Sequence, residues 1–485
     1  MTEPIRFSLN GCAVEARCRA DMTVLEWLRL EALLRGTKEG CAEGDCGACS
    51  VLLKRPDPRG RSAFQAANSC IMLMGQLDGA SLVTVEGLAA MRTGAQSGHP
   101  VQLAMEENGS SQCGFCTPGI VSALAGLLDR QSGSEDADHT LAEDDIHDAL
   151  AGNLCRCTGY RPIVEAACAA ASQQIAPLPD HPVGSPNAVT GEDSSQMLHP
   201  ATLDELLALL RQHTDATLLA GGTDISLDVA HARARWERVI STRNVTELRN
   251  ISENADVLTL GAAVTWQEAL PFVAEHWPSF ATLIRRFGST QIRSMGTVAG
   301  NLATSSPIGD GAPALLALGA SLRLASSQDE RTLPLDDFFL DYRKNALRPG
   351  EIIKAIHIPL TGSELDERRH AAFRVYKLSK RYDQDISTVC GAFSLAFEGD
   401  RVAGARIAFG GMAATPMRCT AAADALLGKP LDGATISAAK AAIAGTFKPM
   451  SDMRGSAAYR AMAAANLVDR LAHDLSGETV EVMAL

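Results

Sequence analysis

The sequence predicts a multidomain α+β protein, and three observations carry that prediction. The chain has 485 residues, more than one hydrophobic core accommodates, so several domains are expected. Residues 1–88 read as short strands broken by turns, whereas 89–173 hold four helical stretches. Residues 174–195 are dense in Pro, Gly, Ser and Asp with no apolar period and read as a linker. Beyond it, helices alternate with strands over 196–365, and strands followed by helices fill 366–485.

Taken in order, Ile5–Leu9 and Ala13–Ala16 read as strands, and the Asn10-Gly11 pair between them is a hairpin signal. A helix is expected around Leu25–Leu33 and a strand at Ser50–Lys54. Val101–Asn108, Gly119–Asp129, Glu143–Gly152 and Pro162–Ser172 supply the four helices. Near the end, strands at Ala372–Leu378 and Arg401–Phe409 precede helices.

Composition excludes some functions. Hydrophobic residues at 46% and charged residues at 21% are ordinary for packed domains. A net charge of −13 argues against a nucleic-acid surface. The opening MTEPIRFSLNG resembles neither a signal nor a transit peptide, and apolar stretches stop short of spanning length, so a cytoplasmic protein without a membrane partner is expected. Ten of the 13 cysteines lie within residues 1–157, which points to metal ligation rather than disulfides in a reducing compartment.

In GCAEGDCGACS, Cys41, Cys46 and Cys49 are separated by four and two residues, and Cys70 follows after twenty more. This is the plant-type ferredoxin spacing, in which one loop wraps a two-iron cluster and the fourth thiolate arrives from elsewhere. Gly40, Gly44 and Gly47 allow that wrapping, and loop amides can hydrogen-bond the sulfurs. A tetrahedral zinc site is the competing reading, disfavoured because zinc knuckles come as paired short spacings. Cys113 and Cys116, in SQCGFCTPG, precede a helix; Cys155 and Cys157, in GNLCRCTGY, follow another thirty-eight residues later. Two such pairs at helix ends can converge on one centre. Cys12, Cys18, Cys168, Cys390 and Cys419 have no ligand spacing and read as ordinary thiols.

A ferredoxin-like stretch followed by CGFCTPG and GNLCRCTGY resembles the molybdenum hydroxylase family over residues 1 to about 170. The resemblance implies a β-grasp ferredoxin domain and a four-helix domain, each holding one [2Fe–2S] cluster. It implies that Cys113, Cys116, Cys155 and Cys157 form the cluster nearer the molybdenum cofactor, and that Cys41, Cys46, Cys49 and Cys70 relay electrons to flavin.

Neither G-x-G-x-x-G nor a Walker A stretch occurs, so a phosphate cradle must be built otherwise. LLAGGTDI comprises Leu218, Leu219, Ala220, Gly221, Gly222, Thr223, Asp224 and Ile225, an apolar strand ending in two glycines. Thr223-Asp224 is expected to open a helix that presents amides to a pyrophosphate, although a plain strand-turn-helix reads equally well. A second small-residue segment runs from Gly296 to Gly311, around Asn301. Together the two resemble the two-part α+β FAD-binding domain shared with vanillyl-alcohol-oxidase-like flavoproteins. By that resemblance, the first loop and Thr297, Val298, Ala299, Gly300 and Asn301 hold the pyrophosphate and ribityl region, Asp310 supports them, and Phe287 packs near the ring. Ile353 falls at an adenine-side contact and Lys377 at another FAD contact; read structurally, Ile353 is core and Lys377 a solvated charge. Tyr342 is the candidate to stack where nicotinamide docks. Asp383 and Asp385 fall in the loop that influences acceptor choice.

The resemblance further implies that substrate is hydroxylated at molybdenum, electrons cross two clusters to FAD, and NAD⁺ takes a hydride. About 115 residues follow the flavin domain, too few for a molybdopterin domain. A separate molybdopterin-binding large subunit is therefore expected, in an (αβ)2 heterotetramer, with no catalytic side chain on this chain. The fused layout points to purine oxidation. Hydroxylation of an aldehyde or another N-heterocycle, or a non-catalytic electron carrier, are the alternatives.

Overall fold

The computed structural model describes residues 4–55, 63–93, 96–132, 141–173, 178–180, 189–190, 195–360 and 369–477. Most of the expected linker at 174–195 lies outside these residues. Of its described part, Leu178 is buried with the helical core, and Asp180 pairs with Lys54 at 2.8 Å. The chain folds as a multidomain α+β protein with two compact units: residues up to Thr246 together with Gly288–Gly296, and Glu247–Phe287 together with the residues from Thr297 onward.

In the first unit, strands β1 (Ile5–Leu9), β2 (Cys12–Ala16), β3 (Ser50–Lys54), β4 (Gln65–Asn68) and β5 (Ser81–Val83) form a mixed sheet in the order β2-β1-β5-β3-β4. Asn10 and Gly11 have φ of 52° and 80°, the doubly left-handed pair that a two-residue hairpin requires. Helix α1 (Val24–Leu30) is capped by Thr23 Oγ1, which accepts from Glu26 N–H, and sets Trp27 edge-on to Phe7 with ring centroids 5.5 Å apart. It ends earlier than the apolar pattern suggests: the amides of Glu31 and Ala32 both close onto Trp27 O, and Leu33 takes φ of 57°.

Helices α2 (Val85–Ala89), α3 (Pro100–Glu107), α4 (Thr117–Ser132), α5 (Glu143–Leu150) and α6 (Arg161–Ala171) follow, the last four matching the four expected. Their apolar faces bury Val101, Leu124, Ile146 and Ile163 in one core. A small sheet of Thr217–Leu219, Arg238–Ser241, Gln196–Leu198 and Val189–Thr190 completes this unit.

His99 caps α3 with Nδ1 accepting from Val101 N–H at 3.2 Å, and its buried Nε2 has no partner. Burial lowers its pKa from 6.5 to about 4, and protonating Nδ1 would remove the cap. A base held neutral in the folded state contributes stability fully above pH 6.5, and that stability is lost as pH falls toward 4. His99→Asn keeps a capping acceptor but not the titration. It is expected to flatten the acid limb of a melting-temperature profile between those pH values, by up to roughly 3 kcal/mol.

In the second unit, Ile251–Glu253, Val257–Gly261, Ile352–Pro359, Ser321–Ala325 and Glu330–Pro334 form one antiparallel sheet. Another comprises Arg369–Leu378, Val389–Glu398, Arg401–Gly410 and Met417–Arg418, with helices Thr420–Leu426, Gly433–Thr446 and Ala457–Ser476. Val389–Glu398 is a strand with no counterpart among the expected elements, although Val389, Phe393, Leu395 and Phe397 fall at the strand period and are buried. No described helix is long and apolar enough to cross a membrane.

Candidate functional site

The eight expected ligand cysteines assemble as two sets of four, each made of two pairs. In the first set, Cys41 N–H approaches Cys46 Sγ at 3.3 Å, Cys46 N–H approaches Cys41 Sγ at 3.3 Å, and Cys49 and Cys70 Sγ are 3.2 Å apart. Gly44 and Gly47 have φ of 82° and 68°, and Ala42 has 57°. Gly40 serves differently: a Cβ there would lie 2.6 Å from Cys46 Sγ. Cys49 and Cys70 are buried beside Leu25 and Ile71. A hydrogen bond from Cys46, then main-chain amides, outweigh burial and lower the Cys41 thiol to about 5. The same interaction raises the Cys46 thiol, so the pair favours one thiolate, the form that binds metal, with its neighbour protonated.

In the second set, Cys116 lies beside Cys155 and Cys113 beside Cys157, each pair close enough for one thiol to shift the other. Burial foremost, then Cys155, pushes Cys116 up to about 12. Cys155 is lowered: burial opposes this, but Thr158, whose Oγ1 lies 3.1 Å from Cys155 Sγ, prevails with its amide. Cys113 and Cys157 are exposed, as are Phe115 and Leu154 beside them. Among the described residues, no three His, Cys, Asp or Glu side chains are disposed around a single metal ion. Two pairs per set instead fit a two-iron core with two thiolates on each iron.

The two cysteine loops touch. Leu154 N–H donates to Cys46 O at 3.0 Å, and Asn153 Nδ2 donates to Gly47 O at 3.0 Å. A Cβ on Gly47 would fall 2.0 Å from Gly152 O, at a φ that side chains rarely adopt. Gly47→Ala is therefore expected to destabilise the first unit by about 3 kcal/mol and lower its iron content, measured by thermal unfolding and metal analysis.

Of the flavin candidates, Leu218 and Leu219 end the strand Thr217–Leu219, and Gly221 packs so closely that a Cβ would meet Met295 O at 2.0 Å. Gly222 has φ of 84°. The expected helix does not open at Thr223-Asp224. Leu227 N–H bonds Asp224 O and Asp228 N–H bonds Ile225 O, so successive turns precede a single helical turn, Leu227–Ala230. Any amides offered by this loop are turn amides.

In the second unit, Thr297 Oγ1 caps the helix Val298–Ala303 by accepting from Gly300 N–H at 3.0 Å. Asn301 Oδ1 and Asp310 Oδ1 are buried acceptors without a partner, which suits a ligand carrying hydroxyls. Lys377 is not a solvated charge: its Nζ is buried, 2.6 Å from Asp310 Oδ2 and 2.8 Å from Ser387 Oγ. Ser387, which sequence alone did not single out, thus joins this cluster. Phe287 stands edge-on to Trp266 with centroids 5.0 Å apart. Ile353 is buried in its sheet opposite Leu324. Tyr342 is exposed on a tight turn between Phe339–Asp341 and Lys344–Asn345. Asp385 accepts from the amides of Lys380 and Arg381, and those bonds hold its carboxyl below the usual range against burial. Of the other cysteines, Cys18, Cys390 and Cys419 are buried and Cys12 and Cys168 exposed.

Residues 7–75 match the family described as 2Fe-2S iron-sulfur cluster binding domain, and 84–168 match the [2Fe-2S] binding domain. Residues 193–361 match the FAD binding domain in molybdopterin dehydrogenase, and 374–475 the CO dehydrogenase flavoprotein C-terminal domain. The chain is thus an iron–sulfur flavoprotein with two [2Fe–2S] domains and one FAD-binding domain. Xanthine dehydrogenase from Emericella nidulans is 31% identical over 98% of this chain and 39% of its own length. That from Drosophila pseudoobscura pseudoobscura is 32% identical over 89% and 36%. The chain therefore spans under two fifths of these relatives. Among solved structures, a carbon monoxide dehydrogenase chain from Hydrogenophaga pseudoflava superposes with TM-score 0.52 at 30% identity, covering 56% of this chain and 94% of that one. Quinoline 2-oxidoreductase from Pseudomonas putida 86 gives 0.53 at 27%, covering 58% and 98%. The chain belongs to the molybdenum hydroxylase family.

Proposed function

We propose that this chain is the iron–sulfur and FAD part of an NAD⁺-dependent xanthine dehydrogenase, equivalent to the small subunit, acting in the oxidation of hypoxanthine and xanthine to urate. The observation that carries the relay is the assembly of eight thiols into two touching sets. Cys41, Cys46, Cys49 and Cys70 hold one cluster; Cys113, Cys116, Cys155 and Cys157 hold the other. Purine oxidation is supported by curated xanthine dehydrogenases that align across up to 98% of the chain, whereas the solved relatives align with 56–58% of it.

When bound, the clusters would supply one-electron transfer and FAD the two-electron exchange with NAD⁺. The residues of the chain hold and tune these groups. Amides of Cys41, Glu43 and Cys46 direct N–H groups at sulfur, which favours the charged ligand state. Burial keeps water from Cys49 and Cys70, while exposed Cys113 and Cys157 place the second set where a partner can deliver electrons. Leu218–Ile225, Thr297–Asn301, Asp310, Phe287, Ile353 and Lys377 contact FAD, Asn301 and Asp310 through their unpartnered acceptors. Tyr342 stacks on nicotinamide. The molybdenum cofactor sits on a partner chain in a cytoplasmic (αβ)2 assembly, and substrate acid–base chemistry belongs to that partner.

The test is the natively purified complex: iron, FAD and molybdenum content, the dithionite-reduced EPR spectrum, and NAD⁺-linked turnover of xanthine. Two distinct [2Fe–2S] signals with FAD, molybdenum and xanthine turnover support the reading. A second reading, favoured by the quinoline 2-oxidoreductase likeness, is another N-heterocycle as substrate. Turnover of quinoline without xanthine would establish it, and zinc without flavin would overturn both.

A further inference from the structure

The segment Gly288–Gly296 packs with the iron–sulfur unit, although its chain neighbours on both sides belong to the other unit. From it, Gln291 reaches the junction of the two cysteine loops. Its Nε2 donates to Asn153 Oδ1 at 2.7 Å and lies 3.3 Å from Ser50 Oγ. Asn153 in turn donates to Gly47 O, and Ser50 Oγ donates to the same carbonyl at 2.8 Å. Gln291, Asn153 and Ser50 are each at most 2% exposed. A buried amide pair of this kind has no water to fall back on, so its geometry is fixed by its partners.

The backbone around the pair is made for close approach. A Cβ on Gly152 would lie 2.3 Å from Gln291 Oε1, one on Gly119 would lie 2.2 Å from Gly47 O, and one on Gly47 would lie 2.6 Å from Asn153 Nδ2. Three glycines thus let three segments converge on two amide side chains. One residue beyond Asn153, Leu154 N–H bonds the carbonyl of Cys46 and leads directly to Cys155.

We propose that Asn153 and Gln291 are positioning residues for electron transfer between the two iron–sulfur centres: they fix the loop of Cys46 against the loop of Cys155. The proposal rests on the reading that these cysteines ligate clusters. The test compares the wild-type complex with Gln291→Leu, which keeps the volume and alters no cysteine loop, and with Asn153→Ala. Iron content and the low-temperature EPR spectrum of the fully reduced protein are measured, with attention to the magnetic interaction between the two clusters.

In Gln291→Leu, full iron content and both signals are expected, with the splitting from cluster–cluster interaction reduced and intramolecular electron transfer slowed several-fold. Asn153→Ala is expected to show the same change more strongly, or to fold poorly, in which case Gln291→Leu decides. Unchanged interaction and transfer in an iron-replete Gln291→Leu would overturn the proposal. Loss of iron from that variant would also overturn it, since the residue would then retain a cluster rather than position two. Absence of two clusters from the wild-type protein would instead refute the functional reading beneath it.

Discussion

Replacing Lys377 with methionine is expected to destabilise the second unit by about 3–5 kcal/mol, because it leaves the Asp310 carboxylate buried without its counter-charge. The side chains are only 1% and 4% exposed and meet at 2.6 Å, so neither can turn to water when the other is removed. Ser387 Oγ, already bonded to Lys377, cannot replace a cation. For a unit of this size the loss corresponds to a fall in melting temperature on the order of 10 °C. The double replacement Lys377→Met with Asp310→Leu is expected to recover most of that stability, since a buried ion pair contributes little beyond an apolar pair of similar volume. Flavin content of the double variant then separates two roles. If the pair also contacts FAD, the variant melts near the wild-type temperature yet purifies without flavin.

That pair also shows where sequence reading stopped. The gathering of the Cys-x4-Cys-x2-Cys and Cys-x-Cys thiols was legible because their spacing is local: neighbours in the sequence stay neighbours in the loop. The four helices and the Asn10-Gly11 hairpin were legible for the same reason, through apolar period and left-handed turn residues. Lys377 and Asp310 are 67 residues apart, and nothing local distinguishes a buried lysine from a solvated one. Gln291 lies 138 residues from Asn153, in a stretch with no motif of its own. The helix expected at Thr223-Asp224 failed for a further reason: two glycines and a polar pair describe a run of turns as well as a helix start, and local pattern does not separate the two.

Cys70→Ser is expected to remove half of the iron and one of the two EPR signals while FAD and the other cluster remain. Its thiol is buried 3.2 Å from Cys49 Sγ and reaches the centre from a separate segment, twenty residues beyond the loop of Cys41, Cys46 and Cys49. On the proposed ligand set a serine there would leave one iron with a single thiolate, and a buried hydroxyl among Leu25, Cys49 and Ile71 has no sulfur to replace what is lost. Cys155→Ser is the counterpart, abolishing the other signal and leaving the Cys70 set intact, because the two sets share hydrogen bonds but no ligand. On the proposed function either change would break the path from molybdenum to flavin, so NAD⁺ reduction by the molybdenum-loaded complex should vanish. Direct reduction of bound FAD by NADH should persist, since it requires neither cluster. If both EPR signals disappeared in each variant with the fold intact, the eight cysteines would serve one shared centre rather than two.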